Sequence, residues 1–166
     1  ISERKQSRLS YGVQSSGNLF KRKESSFIAL AEALKKMIKN YHHQFANEGC
    51  EFIQSFPKKI EFSSSWFVRM QKGGHLSSHI HEDGWISGAV YLSIPNSNKE
   101  SNEGAIELST DGDGYPRMHD RFPTQTILPE AGDVIFFPSS VFHRTIPFNS
   151  DAERVCIAFD LKPESK

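Results

Sequence analysis

The stretch His79-Ile80-His81-Glu82-Asp83-Gly84-Trp85-Ile86-Ser87-Gly88-Ala89-Val90-Tyr91-Leu92 decides how the chain is read. It opens with imidazoles and a carboxylate spaced two apart and runs on into a β-prone segment. Alternate residues of an extended chain share a face, so His79, His81 and Asp83 are expected on one side. Two imidazoles and a carboxylate form the 2-His-1-carboxylate ligand set of a non-haem Fe(II) site. The second imidazole of such a set must come from elsewhere, and His143, in Phe142-His143-Arg144-Thr145, is the candidate. With seven His in the chain, an H-x-H pair on a wet strand face is also compatible with no metal at all.

Working outward, strand parity extends the argument. The face of His81 and Asp83 continues through Trp85, Ser87, Ala89, Tyr91 and Ser93, while Ile86, Val90, Leu92 and Ile94 form the core face. Small and polar residues on one face are what a lumen needs if it is to admit ligands. The closing segment behaves alike: Val155, Ile157, Phe159 and Leu161 alternate with Arg154, Cys156 and Ala158. An Arg beside Cys and Ala suits a guanidinium projecting into a pocket, where its fork of donors matches a carboxylate. The plainer reading pairs Arg154 with Glu153 or Asp160 at a strand end.

Ahead of this block, Phe27, Leu30, Ala31, Leu34, Met37, Ile38, Tyr41 and Phe45 recur at helical spacing, predicting one amphipathic helix over 27–45 capped by Ser25 or Ser26. His42 and His43 at its C-terminal end favour the helix dipole and are read as structural. From Ile60 onward strand signals dominate: 60–70 before a Gly73-Gly74 turn, 86–94 closed by Pro95-Asn96-Ser97-Asn98, then 104–109, 126–128, 133–137, 143–148 and 154–161. About eight short strands with one flanking helix predict an all-β double-stranded β-helix, or jelly roll. Residues 1–24 are polar and read as an arm or early edge strand, leaving 25–166 as the jelly-roll domain.

Composition sets the bounds. At 166 residues there is room for one domain with a real core. Twenty basic and twenty acidic residues cancel, so no nucleic-acid footprint or membrane attraction is implied. Cys50 and Cys156 are too few for a disulfide framework, which points to a reducing, cytoplasmic compartment. A chain opening on Ile1 reads as a fragment or processed product.

Several of these blocks together resemble the 2-oxoglutarate/Fe(II)-dependent oxygenases, closest to the oxygenase domain often attached to tetratricopeptide repeats. They are 12–20, Gly73-Gly74-His75 with His79-Ile80-His81, Gly84-Trp85-Ile86-Ser87-Gly88, Phe136-Phe137-Pro138-Ser139, His143-Arg144-Thr145, Pro147-Phe148 and 154–160. The resemblance implies Fe(II) on His81, Asp83 and His143, with His79 as the competing third ligand or a group behind the ligands. It implies Arg154 as the clamp for the distal carboxylate of 2-oxoglutarate, with Tyr91, Ser87 and Thr145 lining the co-substrate's seat. Gln14, Asn18 and Trp85 are further candidates for pocket lining. The superfamily's Ser two residues after the Arg is Cys156 here. The activity implied is hydroxylation of a small molecule or protein side chain with release of succinate and CO₂. Two other readings stand beside it. The spacings Gly73…His79-x-His81 and Gly132…Pro138…His143 resemble the two cupin motifs, implying a metal on three imidazoles without 2-oxoglutarate. A jelly-roll binding module without turnover is the third.

Overall fold

The computed structural model describes residues 1–95 and 101–164, so part of the expected turn at 95–98 lies outside the described residues. Two antiparallel sheets make up the molecule. The larger comprises β1 (Glu3–Arg4), β2 (Leu9–Ser15), β3 (Ile60–Leu76), β4 (Ile86–Ser93), β7 (Val134–Pro138) and β9 (Arg154–Pro163), in the order β1-β2-β3-β9-β4-β7. The smaller is β6-β5-β8, from β5 (Ile106–Ser109), β6 (Thr124–Ile127) and β8 (Phe142–Thr145). The jelly-roll expectation holds. The polar N-terminal stretch is part of the large sheet, with β2 paired along β3.

Helix α1 (Ser25–Gln44) forms where the apolar stripe predicts it. It buries Leu34 and Ile38 against Ile60, Ile86, Val90, Phe159 and Leu161 on the outer face of the large sheet. A one-turn helix α2 (Glu51–Gln54) follows, too short to leave a periodic signal. Phe52 from it stacks on Trp85. This packing pins the strands that carry the lumen residues on their other face.

Gly73-Gly74 is not the expected turn. Strand β3 runs through it, and residues 71–74 bulge opposite Tyr11, because β2 pairs Gly12 with Met70 but Ser10 with His75. Gly73 takes φ +79 there, a conformation glycine adopts without strain.

Gly88 leaves no room for a side chain between β4 and its neighbours. A Cβ at this position would lie 2.6 Å from Phe159 Cζ, 2.7 Å from the Ile135 carbonyl oxygen and 2.9 Å from Phe136 Cβ. The carbonyl belongs to a paired strand and cannot swing aside. Gly88→Ala is therefore expected to cost ~1–3 kcal/mol of stability, read as a lower midpoint in urea denaturation. An unchanged midpoint would mean that the sheet relaxes around the methyl group.

Candidate metal and co-substrate centre

His79 and His81 lie on an extended segment running beside residues 139–143. His79 and His143 face each other across an antiparallel bridge, exchanging backbone hydrogen bonds of 3.1 and 2.9 Å. His81 N–H donates to the Ser139 carbonyl at 3.1 Å. Residues two apart share a face, and directly opposed residues share it too. The three imidazoles therefore converge, with one ring nitrogen from each within 4.8 Å of the others.

Their other nitrogens are committed. His79 Nδ1 meets the Ser77 carbonyl at 2.7 Å, His143 Nδ1 the Val141 carbonyl at 3.2 Å, and His81 Nδ1 the Asp160 carboxylate at 2.6 Å. These partners only accept, so each Nδ1 donates and each Nε2 is left for a ligand. Burial, with a smaller contribution from the neighbouring His81, pushes the His79 pKa below its ordinary value. Burial and the two other imidazoles push His143 down to about 3. Neutral, oriented imidazoles are what a divalent transition metal requires. The donor set thus fits such an ion.

Asp83 does not join them. Residues 82–83 form an exposed turn, closed by Gly84 N–H donating to His81 O at 3.3 Å, and Asp83 points outward. The parity that placed it with His81 assumed unbroken strand, and the turn interrupts it. Trp85 falls with it: its indole packs toward the outer core instead of the lumen. His79 instead of Asp83 stands with His81 and His143.

The carboxylate at the centre is Asp160, which sequence alone offers only as a partner for Arg154. Strand parity could have found it, since Arg154, Cys156, Ala158 and Asp160 alternate on one face. Burial would raise its pKa, but hydrogen bonds from His81, Ser87 and Ser64 more than offset this and hold it below the usual carboxylate range. Asp160 Oδ1 accepts from Ser87 Oγ at 2.7 Å and Oδ2 from Ser64 Oγ at 2.7 Å. Oδ1 thus orients His81 while Ser64 holds Oδ2, the carboxylate–histidine arrangement that fixes a metal-binding imidazole.

A cavity of about 400 Å³ joins this cluster to Arg154. Its floor is built in rows across the large sheet: Ser64–Asp160–Ser87, then Trp66–Ala158–Ala89, then Val68–Cys156–Tyr91. Polar side chains stand under His81, and Ala158, Ala89 and Cys156 leave the middle open. Thr145 and Ile106 line it from the small sheet, and Gln14 from β2. Asn18 instead caps the turn at Leu19–Lys21.

Arg154 closes the far end. It is 2% exposed, donates from Nε to the Gly104 carbonyl at 3.0 Å, and stands 5.0 Å from the Tyr91 ring centre. Burial pushes the Tyr91 phenol up to about 12, so it remains a neutral donor. Among the described residues no carboxylate pairs with Arg154, and neither Glu153 nor Asp160 does so.

The jelly roll thus gathers three imidazoles and a buried guanidinium in one lumen. The family model described as "Putative 2OG-Fe(II) oxygenase" matches residues 64–160, and the chain belongs to that family. No match emerged from comparison with curated proteins. Among solved structures, a Pseudomonas putida prolyl-4-hydroxylase aligns over 93% of this chain and 73% of its own, at 15% identity and TM-score 0.56. The viral collagen prolyl hydroxylase of Paramecium Bursaria Chlorella virus-1, in its 2-oxoglutarate complex, covers 92% and 79% at 17% identity and TM-score 0.55. HygX from Streptomyces hygroscopicus, with nickel and 2-oxoglutarate bound, covers 98% and 74% at 11% identity and TM-score 0.58. At these identities the likeness is one of fold. No helix among the described residues is long and apolar enough to cross a membrane.

Proposed function

We propose that the protein is a 2-oxoglutarate-dependent dioxygenase that hydroxylates its substrate with release of succinate and CO₂. Fe(II) would be held by His79, His81 and His143, and Arg154 would hold the distal carboxylate of 2-oxoglutarate. The observation that carries this reading is the buried Arg154, without a carboxylate partner among the described residues, in one cavity with three converging imidazoles. A guanidinium so placed calls for an acidic ligand, since an unpaired buried charge is strongly destabilising.

Fe(II), when bound, supplies the oxygen chemistry, and the chain supplies position and surroundings. Asp160 keeps the His81 proton on Nδ1 through its carboxylate. Ser64 and Ser87 in turn fix Asp160. Tyr91 and Thr145 flank the seat between the imidazoles and Arg154, and the apolar wall of Val68, Leu76 and Ile106 limits water there.

The same three imidazoles are a cupin's donor set, and succinate separates the two readings. Anaerobic protein given Fe(II) and 2-oxoglutarate should develop a visible metal-to-ligand charge-transfer band. On admitting O₂ it should produce succinate. Fe(II) binding with neither band nor succinate would transfer the assignment to the three-imidazole cupin.

A further inference from the structure

The cavity lining includes two more cations than Arg154. Arg4 and Arg8 line it together with Arg154. Arg8 is already paired: its guanidinium grips Asp113 through hydrogen bonds of 2.6 and 2.8 Å and donates to the Ser78 carbonyl. Arg4 has no carboxylate partner among the described residues. Its partner is an amide. Gln14 is 5% exposed, and because Arg4 presents only donors, the amide turns its oxygen toward it. That oxygen then accepts from Arg4 Nη2 at 2.9 Å and Nε at 3.1 Å.

Strand register shows where this pair stands. Arg4 pairs with Gln14, Gln14 with Val68, Val68 with Cys156, and Cys156 with Tyr91. One row therefore crosses the lumen floor from Tyr91, beside Arg154, to Arg4 at the open edge of the sheet. At ~4.8 Å per strand the row is roughly 19 Å long. An arginine serving only solubility has no need of a buried amide to hold its fork in place. Asp160, the carboxylate of the lining, is engaged by His81, Ser87 and Ser64, so among the described residues no free carboxylate in the cavity compensates Arg4.

We propose that Arg4 recognises the substrate to be oxidised, and that this substrate carries an anionic group, a carboxylate or a phosphate ester. The inference rests on the assignment of Arg154 to 2-oxoglutarate, whose distal carboxylate is then taken. A guanidinium fork receives either anion through paired hydrogen bonds. Gln14 is a positioning residue.

The test uses the protein loaded with Zn(II), which is redox-inert, and 2-oxoglutarate, so that Arg154 is occupied. Benzoate and phenyl phosphate are titrated by ligand-observed NMR, with benzyl alcohol as the neutral control. Saturable binding of an anionic probe but not of the alcohol is expected, weakened about tenfold or more in Arg4→Gln. Arg4→Lys, which keeps the charge and loses the fork, should fall between. Arg4 lies exposed on a two-residue edge strand, so neither variant threatens the fold. Equal affinity in parent and Arg4→Gln, no preference for anion over alcohol, or no saturable binding would overturn the proposal. Failure of 2-oxoglutarate itself to bind would instead overturn the Arg154 assignment. The same titrations without it would still compare parent with Arg4→Gln.

Discussion

Replacing any one of His79, His81 or His143 by Ala is expected to abolish stoichiometric Fe(II) binding, and Asp83→Ala to leave it unchanged. A site with three protein donors loses a third of its ligands with each imidazole, and among the described residues no fourth donor belongs to the group. Among the described residues, the only grouping of potential donors close enough to hold an ion is this one. Asp83 is exposed in its turn and stands outside the group. Asp160→Asn provides an internal scale. It leaves all three imidazoles but weakens the grip on His81, and loss of such an orienting partner typically lowers metal affinity by roughly 10–100-fold. The imidazole variants should therefore fall more than about 100-fold, Asp160→Asn between, and Asp83→Ala at parent affinity. Anaerobic Fe(II) titration, with circular dichroism to confirm folding, reads the series. Iron retained by His79→Ala and lost by Asp83→Ala would restore the His81/Asp83/His143 ligand set and refute the three-imidazole one.

That contrast shows where the sequence is legible and where it stops. Alternation placed Ser87, Ala89 and Tyr91 on the lumen side of β4 and Arg154, Cys156 and Ala158 on the lumen side of β9, and these six line one cavity. It failed at Asp83 and Trp85 for a single reason. Glu82 and Asp83 make a turn, and a period of two carries no information across a turn. Gly73-Gly74 failed in the opposite sense, since a glycine pair marks a bulge within a strand as readily as the end of one. Asp160 was within reach of the same alternation, but its role depends on His81 approaching from a distant segment. Arg4 and Trp66 depend wholly on such register: Arg4 enters the lumen only because β1 pairs with β2, and β2 with β3. Local pattern fixes which way a side chain faces, whereas long-range pairing decides what it meets.

Arg154→Lys is expected to weaken 2-oxoglutarate binding by about 10- to 100-fold while leaving Fe(II) affinity within about twofold of the parent. The guanidinium is already held: Nε donates to the Gly104 carbonyl, and the Tyr91 ring lies 5.0 Å away. What remains of its fork can meet a carboxylate through two parallel hydrogen bonds. Lysine keeps the positive charge, but its ammonium is a point donor on a flexible stem and cannot reproduce the paired geometry. It would also surrender the Gly104 contact that aims the side chain. Arg154 is separated from the imidazole end of β9 by Cys156 and Ala158, and Asp160 with His81 lies at that other end. The substitution therefore leaves the metal donors untouched, and iron content serves as its control. Titration of 2-oxoglutarate into the anaerobic Fe(II) protein, followed at the charge-transfer band, gives the affinity directly. Equal 2-oxoglutarate affinity in parent and Arg154→Lys would mean that the buried guanidinium serves the fold alone, and the three imidazoles would then belong to a cupin-type centre that takes no 2-oxo acid.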